Sequence, residues 1–463
     1  MTGSVRPSSA RHVFYRKLDR ELPTIVRAEG VYLYDDAGRR YLDACGGAMV
    51  ACIGHGVPEI AAAMAEQARA VDYVNGTAFT NLAAERLADF LATKTPAGVD
   101  RAYFLCSGSE AVEAALKLAR QYHVERGEPE RRVIIARSPG YHGNTLLALS
   151  ASARDHYRAL YAPWLVDVRM IAAPYPYRSE SVSSAAMTGD ALEAAIGEIG
   201  PKNIAAFIAE PIGGSSTGAS LPPPGYYARI REICDRHGVL FVADEILTGA
   251  GRTGTYFALE HFRDARGAAI VPDIITLGKG LNGGYAPLSA LIARRSIVDV
   301  IAAGRYGGLM HAQTYSHHPV ACAAALAVQQ YIERHELVAR ARVLGERLHL
   351  RLRSLAADGD GAELVGDVRG IGMLAAVELV ADRATKRPFQ RELKVAEALV
   401  MRAQERGLIL WPNVGHADGR NGDLVMVAPP FTISPEQIDE LAESLRSSLA
   451  DAAARMHARP GSR

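Results

Sequence analysis

Between residues 101 and 292 the chain alternates short β-rich apolar runs with helical patterns, and no other feature limits its possible folds so tightly. RAYFLC leads to EAVEAALKLARQYH, RRVIIA follows, NIAAFIAEP leads to YYARIREICDRHG, and VLFVADE, IITLG and PLSALIA close the series. Short apolar strands separated by helices need crossover connections, so this pattern predicts a mostly parallel sheet covered on both faces. In such sheets ligands bind in the crevice outside the carboxyl ends of the strands.

The flanks read differently. Residues 1–75 hold a hairpin-like VYLYDDAGRRYLDA, with Asp36 to Gly38 at its turn, and a helix with Ile60, Met64, Ala68 and Val71 on one face. The last third carries one long amphipathic helix around residues 324–357, a strand-like GMLAAVELV, and a final helix. That helix opens with Ser434, Pro435 and Gln437 in capping-box order and lines up Ile438, Leu441, Leu445 and Leu449. SESVSSAAMTGD, near residue 180, reads as a loop, and no internal repeat is visible. We therefore expect an α/β protein with a large ligand-binding domain over residues 76–322. A smaller domain is expected from both chain ends, residues 1–75 and 323–463. A chain of 463 residues, 49% hydrophobic and 22% charged, can fill cores of that size.

Charge and cysteine usage exclude several classes. Lys and Arg number 52 against 51 Asp and Glu, a net charge of +1, so no global field attracts nucleic acid or a membrane surface. Cys45, Cys52, Cys106, Cys234 and Cys322 are odd in number and form no CxxC, which argues against a zinc site and a disulfide framework and for a reducing, cytoplasmic setting. No apolar run approaches the ~18 residues of a membrane span. The start, MTGSVRPSSARHVFYRK, is basic and free of acids, as transit peptides are, but lacks the apolar core of a secretory signal. We read it as a frayed terminus.

The candidate chemistry gathers at strand ends. In PDIITLGKGLNGGYAPLSA, the run Ile274 to Leu277 ends at Lys279, set among Gly278, Gly280, Gly283 and Gly284. It is either a solvated loop lysine or an amine facing the crevice. In FLCSGSEAVEAALKLAR a strand gives way to a Ser-Gly-Ser turn and a helix with Val112, Ala115, Leu116 and Ala119 on its inner face. Ser107 and Glu110 fit a capping box, and Glu113 and Lys117 an i,i+4 pair. Capping accounts for the serines; equally, the free N–H groups and the helix dipole make a phosphate site, with Gly108 allowing close approach and Ser109 offering its hydroxyl.

In VLFVADEILTGAGRTG, Asp244 and Glu245 end a strand, and at least one carboxylate should face the crevice. Gly249, Gly251 and Gly254 spell GxGxxG, but the motif does not directly follow the strand, and no strand ends in an acid about twenty residues on, so a dinucleotide reading is disfavoured. Glu210 ends a further strand in AEP. Tyr141 and His142 follow another in SPGYHGNT, where an aromatic ring either packs or stacks on a planar ligand. His311, Thr314, His317 and His318 in HAQTYSHHP come without a carboxylate or thiolate, and no metal is expected there. A phosphate turn, a ring face, an acid and a lysine are together what pyridoxal phosphate needs: a Schiff-base amine, and an acid that keeps the pyridine nitrogen protonated.

FVADEILTGAGRTGTYFALEHF followed by PDIITLGKGLNGGYAPLSALIA closely resembles the signature of the class III pyridoxal-phosphate aminotransferases, the group containing ω-amino acid transaminases. The similarity runs from VYLYDDAGRRYLDACGG through SGSEAVEAALKLAR, YHGNT, AEPI and TYSHHP to VMVAPPFTIS. The resemblance implies the aspartate-aminotransferase fold (pyridoxal-phosphate fold type I) and a homodimer with shared sites. It implies that Lys279 carries the cofactor as a Schiff base and shuttles the proton, and that Asp244 holds the pyridine nitrogen. Ser107, Gly108 and Ser109 would lie at the phosphate, Tyr141 and Ile246 on the two ring faces, His142 and Glu210 near the ring, and Thr314 at the partner's phosphate. One departure stands out. Amine:pyruvate members carry a carboxylate-binding arginine where GLILWPNVGHADGRNGDLVMVAPP has Trp411 and Pro412, which leaves Arg420 as the substitute candidate, with Trp411 beside it. The implied activity is transfer of an amino group from an ω-amino acid or amine to a 2-oxo acid by a ping-pong cycle. An aminomutase or decarboxylase would share these motifs, and an NAD-dependent oxidoreductase would use GAGRTG.

Overall fold

The computed structural model describes residues 12–18 and 20–457. The reading of the chain's start falls largely on residues 1–11, outside the described residues.

A seven-stranded sheet forms the centre, in the order Val99–Leu105, Ser289–Arg294, Ile274–Leu277, Leu240–Asp244, Ile204–Ala209, Val133–Ser138, Arg169–Ala172. The last five pair in parallel. Ser289–Arg294 runs antiparallel to both of its neighbours, the one reversal in an otherwise parallel sheet. The inner strands are apolar throughout because both faces are covered. Ala206 and Ile208 point into one core with Ala115, Leu116 and Ala119 of the helix Gly108–Glu125. Phe207 and Ala209, the alternate residues, join Leu192, Ile230 and Ile233 in the other. The period-2 pleat thus splits each strand between two layers.

Both chain ends meet in a second sheet. Ile25–Glu29, Tyr32–Asp35 and Arg40–Asp43 form a meander whose last strand pairs in parallel with Leu408–Ile409. A third, antiparallel sheet orders Val365–Ile371, Leu374–Leu379, Asp423–Val427 and Trp411–Val414. Against these packs the final helix Pro435–His457, whose Ile438, Leu441, Leu445 and Leu449 are buried. Its capping box forms as written: Gln437 N–H donates to Ser434 Oγ at 3.2 Å, and Ser434 N–H to Gln437 Oε1 at 2.8 Å.

Several local expectations are revised. The long helix over 324–357 is two helices, Pro319–Arg334 and Leu337–Arg353, separated by Glu336 at φ 50°. Both halves face one core, through Val328 and Ile332 and through Ala341 and Leu348, so the apolar pattern runs on across the break. In the helix Pro58–Ala70, Ile60 is buried and Met64 partly so, while Ala68 and Val71 are exposed. Glu113 does not pair with Lys117; its carboxylate accepts the Thr145 hydroxyl at 2.6 Å. The stretch near residue 180 holds short helices, Pro176–Ser181 and Ser184–Thr188. Among the described residues no helix is long and apolar enough to cross a membrane.

Candidate active site

Four parallel strand ends and one helix start surround a single cavity. Gly108, Ser109, Tyr141, His142, Glu210, Asp244, Ile246 and Lys279 all line it. Each arrives by the same device, a strand that ends at the crevice and hands its next residues to a turn.

Lys279 follows the strand Ile274–Leu277 and sits at φ 43° in a single helical turn, a left-handed backbone that an L-residue adopts at a cost of about 1 kcal/mol. Burial lowers its ammonium pKa to about 8, against the opposing pull of Asp244 and Glu210. Its amine is therefore partly neutral near physiological pH, as a nucleophile requires.

Asp244 ends the neighbouring strand, and its carboxylate is fixed by three donors. His142 Nδ1 donates at 2.6 Å, Ile246 N–H at 3.1 Å and Thr276 Oγ1 at 3.2 Å. The other ring nitrogen of His142, Nε2, is buried with no partner. Glu245, one residue on, points the opposite way, as the pleat dictates, and accepts Thr248 Oγ1, Ala258 N–H and Leu259 N–H. Burial pushes its pKa up to about 7. Of the two acids, only Asp244 faces the cavity.

At the helix start Ser107 is the N-cap, accepting Glu110 N–H at 3.3 Å, and Glu110 reciprocates to Cys106 N–H one residue earlier than the box predicts. Ser107 is thus committed to capping and does not line the cavity, whereas Gly108 and Ser109 do. Gly108 must be glycine: a Cβ there would come within 2.9 Å of Ile246 Cγ2. Gly143 is equally constrained, since a Cβ would fall 2.6 Å from Ser109 Oγ. Glu210 accepts Gly214 N–H at 2.9 Å, Ser216 Oγ at 3.1 Å and Tyr141 N–H at 3.2 Å, and is ion-paired to no arginine among the described residues.

Three candidates lie elsewhere. Thr314 is exposed, in a turn outside the cavity. Trp411 pairs with Met426 in the third sheet and packs beside Met49 and Leu424. Arg420 is not brought to the cavity: its side chain is 73% exposed and ion-paired with Glu392, because the tight turn Asp418–Asn421 aims it at solvent. The glycines of GAGRTG serve packing. A Cβ on Gly254 would lie 2.8 Å from Arg342 Cβ, and Arg252 between them donates to the carbonyls of Met373 and Pro429 at 3.0 and 2.6 Å. Among the described residues no group of three His, Cys, Asp or Glu could hold a metal ion.

The chain matches the model of the class III aminotransferases over residues 14–449. It belongs to that family. It is 40% identical over 97% of both chains to an uncharacterized aminotransferase of Schizosaccharomyces pombe. It is 34% identical to the putrescine–pyruvate aminotransferase of Pseudomonas aeruginosa, over 95% of this chain and 93% of that one. A transaminase from the marine bacterium Virgibacillus superposes with a TM-score of 0.89 at 31% identity, over 97% of this chain and 98% of that one. The fold of this class III transaminase is accordingly pyridoxal-phosphate fold type I. The aminotransferase cavity also takes in Ile212, Ser215, Leu247 and Thr248, which no strand-end signal in the sequence marks. Arg154 lies beside Ser215 and was equally hidden, since SARDHYR resembles any solvated helix start.

Proposed function

We propose that this aminotransferase moves an amino group from an ω-amino acid or primary amine to a 2-oxo acid such as pyruvate or 2-oxoglutarate, in two half-reactions on pyridoxal phosphate held in this cavity. The observation that carries the reading is the pairing of a partly neutral, half-buried Lys279 with a triply hydrogen-bonded Asp244 on adjoining strand ends.

The residues fit that cofactor. The helix start at Gly108 and Ser109 offers free N–H groups and a positive dipole end to a phosphate. Tyr141 would cover one ring face and Ile246 the other, and Asp244 would accept a hydrogen bond from the pyridine nitrogen and keep it protonated, with His142 holding the carboxylate in place. When bound, the cofactor supplies an aldehyde for the substrate amine and a ring that withdraws electrons from the carbon bearing it. Lys279 Nζ would bind the cofactor aldehyde in the resting enzyme and would carry the proton between the substrate carbon and C4′. We further read the enzyme as a homodimer in which the exposed Thr314 reaches the phosphate bound by the partner. The named Pseudomonas relative supports an amine donor and pyruvate as acceptor.

The test is the absorption spectrum of protein reconstituted with pyridoxal phosphate, wild type beside Lys279→Ala, with β-alanine, putrescine and (S)-1-phenylethylamine added in turn. A visible band that one donor bleaches and pyruvate or 2-oxoglutarate restores, in wild type alone, is the expected result. A wild type that takes up no cofactor overturns the reading.

A further inference from the structure

With Arg420 turned to solvent, the cavity lacks its expected carboxylate-binding arginine, but another guanidinium stands beside it. Arg154 precedes the short helix Asp155–Arg158 and reaches back toward the site. Its Nη2 donates to Ser215 Oγ at 2.7 Å, and its Cζ lies 5.0 Å from the centre of the Tyr141 ring. Ser215 and Tyr141 both line the cavity.

Arg154 has a hydroxyl and a ring as partners at the cavity but no counter-ion. Of the other buried arginines, Arg178 and Arg369 pair with Glu378 and Arg231 with Asp273, while Arg137 and Arg252, likewise without a carboxylate, donate to the carbonyls of Glu210 and of Met373 and Pro429. Among the described residues no carboxylate comes within ion-pair distance of Arg154. Glu210 acts on it only across space, its own oxygens being engaged by Gly214, Ser216 and Tyr141. A second guanidinium, Arg16, donates to the hydroxyl of Tyr157, whose ring Arg154 also approaches, at 6.0 Å. Burial and then Arg154, Arg391 and Arg16 press the neighbouring His156 toward its neutral form. The positive potential is therefore local to this side of the cavity. A half-buried guanidinium without a counter-ion is costly to fold and is suited to receive an anion.

We propose that Arg154, its fork steadied by Ser215 Oγ, binds the carboxylate of the substrate and makes the enzyme selective for 2-oxo acids over aldehydes. The inference rests on the transaminase reading above. Ser215 is well placed to set the fork's direction. Its segment is tied to the third sheet where Arg369 Nη2 donates to the Thr217 carbonyl at 2.7 Å, and is closed on itself by Gly213 N–H to the Ser220 carbonyl at 2.8 Å.

The experiment uses enzyme loaded with pyridoxamine phosphate and follows return of the visible band on mixing with pyruvate or with butanal, an acceptor without a carboxylate. Arg154→Gln should lower the ratio of kcat/KM for pyruvate to that for butanal by about ten- to a hundredfold, the worth of a charge-assisted contact, through KM more than kcat. Arg154→Lys should recover part of the ratio, and the inhibition constant of glutarate, an unreactive dicarboxylate, should rise in Arg154→Gln in step with KM for pyruvate. Equal losses with both acceptors would assign Arg154 a structural role and overturn the proposal, as would an unchanged ratio. A wild type that reacts with none of pyruvate, 2-oxoglutarate and butanal brings down the transaminase reading, and this one with it.

Discussion

Lys279 keeps its amine where water is scarce, and the cost is visible in its titration. The unfolded chain binds this proton up to its ordinary pKa of 10.5 and the folded one only up to about 8. Between those values the unfolded state holds more protons, so the lysine's penalty on stability is full below about pH 8 and fades as pH rises toward 10.5. Cofactor-stripped Lys279→Met should accordingly be more stable than stripped wild type at pH 7, by up to about 3 kcal/mol, with the gap narrowing by pH 10; urea unfolding at both pH values measures it. An equal gap at both would mean that the amine is not penalised. Lys279, Asp244 and Tyr141 were legible in the sequence because each directly follows an apolar strand, and a strand's end has one fate in a parallel sheet. The choice between Asp244 and Glu245 needed the pleat. Arg154 was illegible because its reach is set by Ser215, which lies sixty-one residues away.

At the scale of elements, the break between Pro319–Arg334 and Leu337–Arg353 shows how hydrophobic periodicity misleads. Two helices that serve one core keep one pattern, and the only marker of the join is a glutamate, a good helix former, held at φ 50°. Glu336→Gly should relieve that backbone and leave the protein as stable or up to about 1 kcal/mol more so, as read from the denaturation midpoint. A loss of that size would mean that the glutamate side chain supports the join. The strands and the helices Gly108–Glu125 and Tyr226–His237, by contrast, were legible at once, because burial on both faces of the sheet leaves them no other pattern.

Across the whole molecule, the seven-stranded sheet and the third sheet are joined by a buried charge cluster. Glu378, on Leu374–Leu379, accepts Arg178 Nε at 2.8 Å and the Tyr175 hydroxyl at 2.6 Å, both from residues that follow the edge strand Arg169–Ala172, and pairs with Arg369 at 2.7 Å. Burial alone would raise its pKa, yet His416, Arg369 and Arg178 hold it well below the usual carboxylate range. A carboxylate so depressed stabilises the fold above its ordinary pKa of 4.5 and loses that contribution as pH falls below it. Glu378→Gln should leave the buried guanidinium of Arg178 unpaired and that of Arg369 with Asp367 alone, cost about 3–5 kcal/mol at pH 7 and flatten the acid limb of the stability profile; urea titrations from pH 7 to 3.5 check both. An acid limb as steep as wild type's would assign the dependence to other carboxylates.

The pairing of Leu42 with Leu408 joins residues 366 apart in the chain (408 − 42). On a ribosome adding about 5–20 residues per second, the meander formed by the first strands waits roughly 20–70 seconds for the strand that closes its edge. During that interval its open edge is a template for neighbouring nascent chains. The order of synthesis thus leaves this edge without its partner strand until most of the chain has been made.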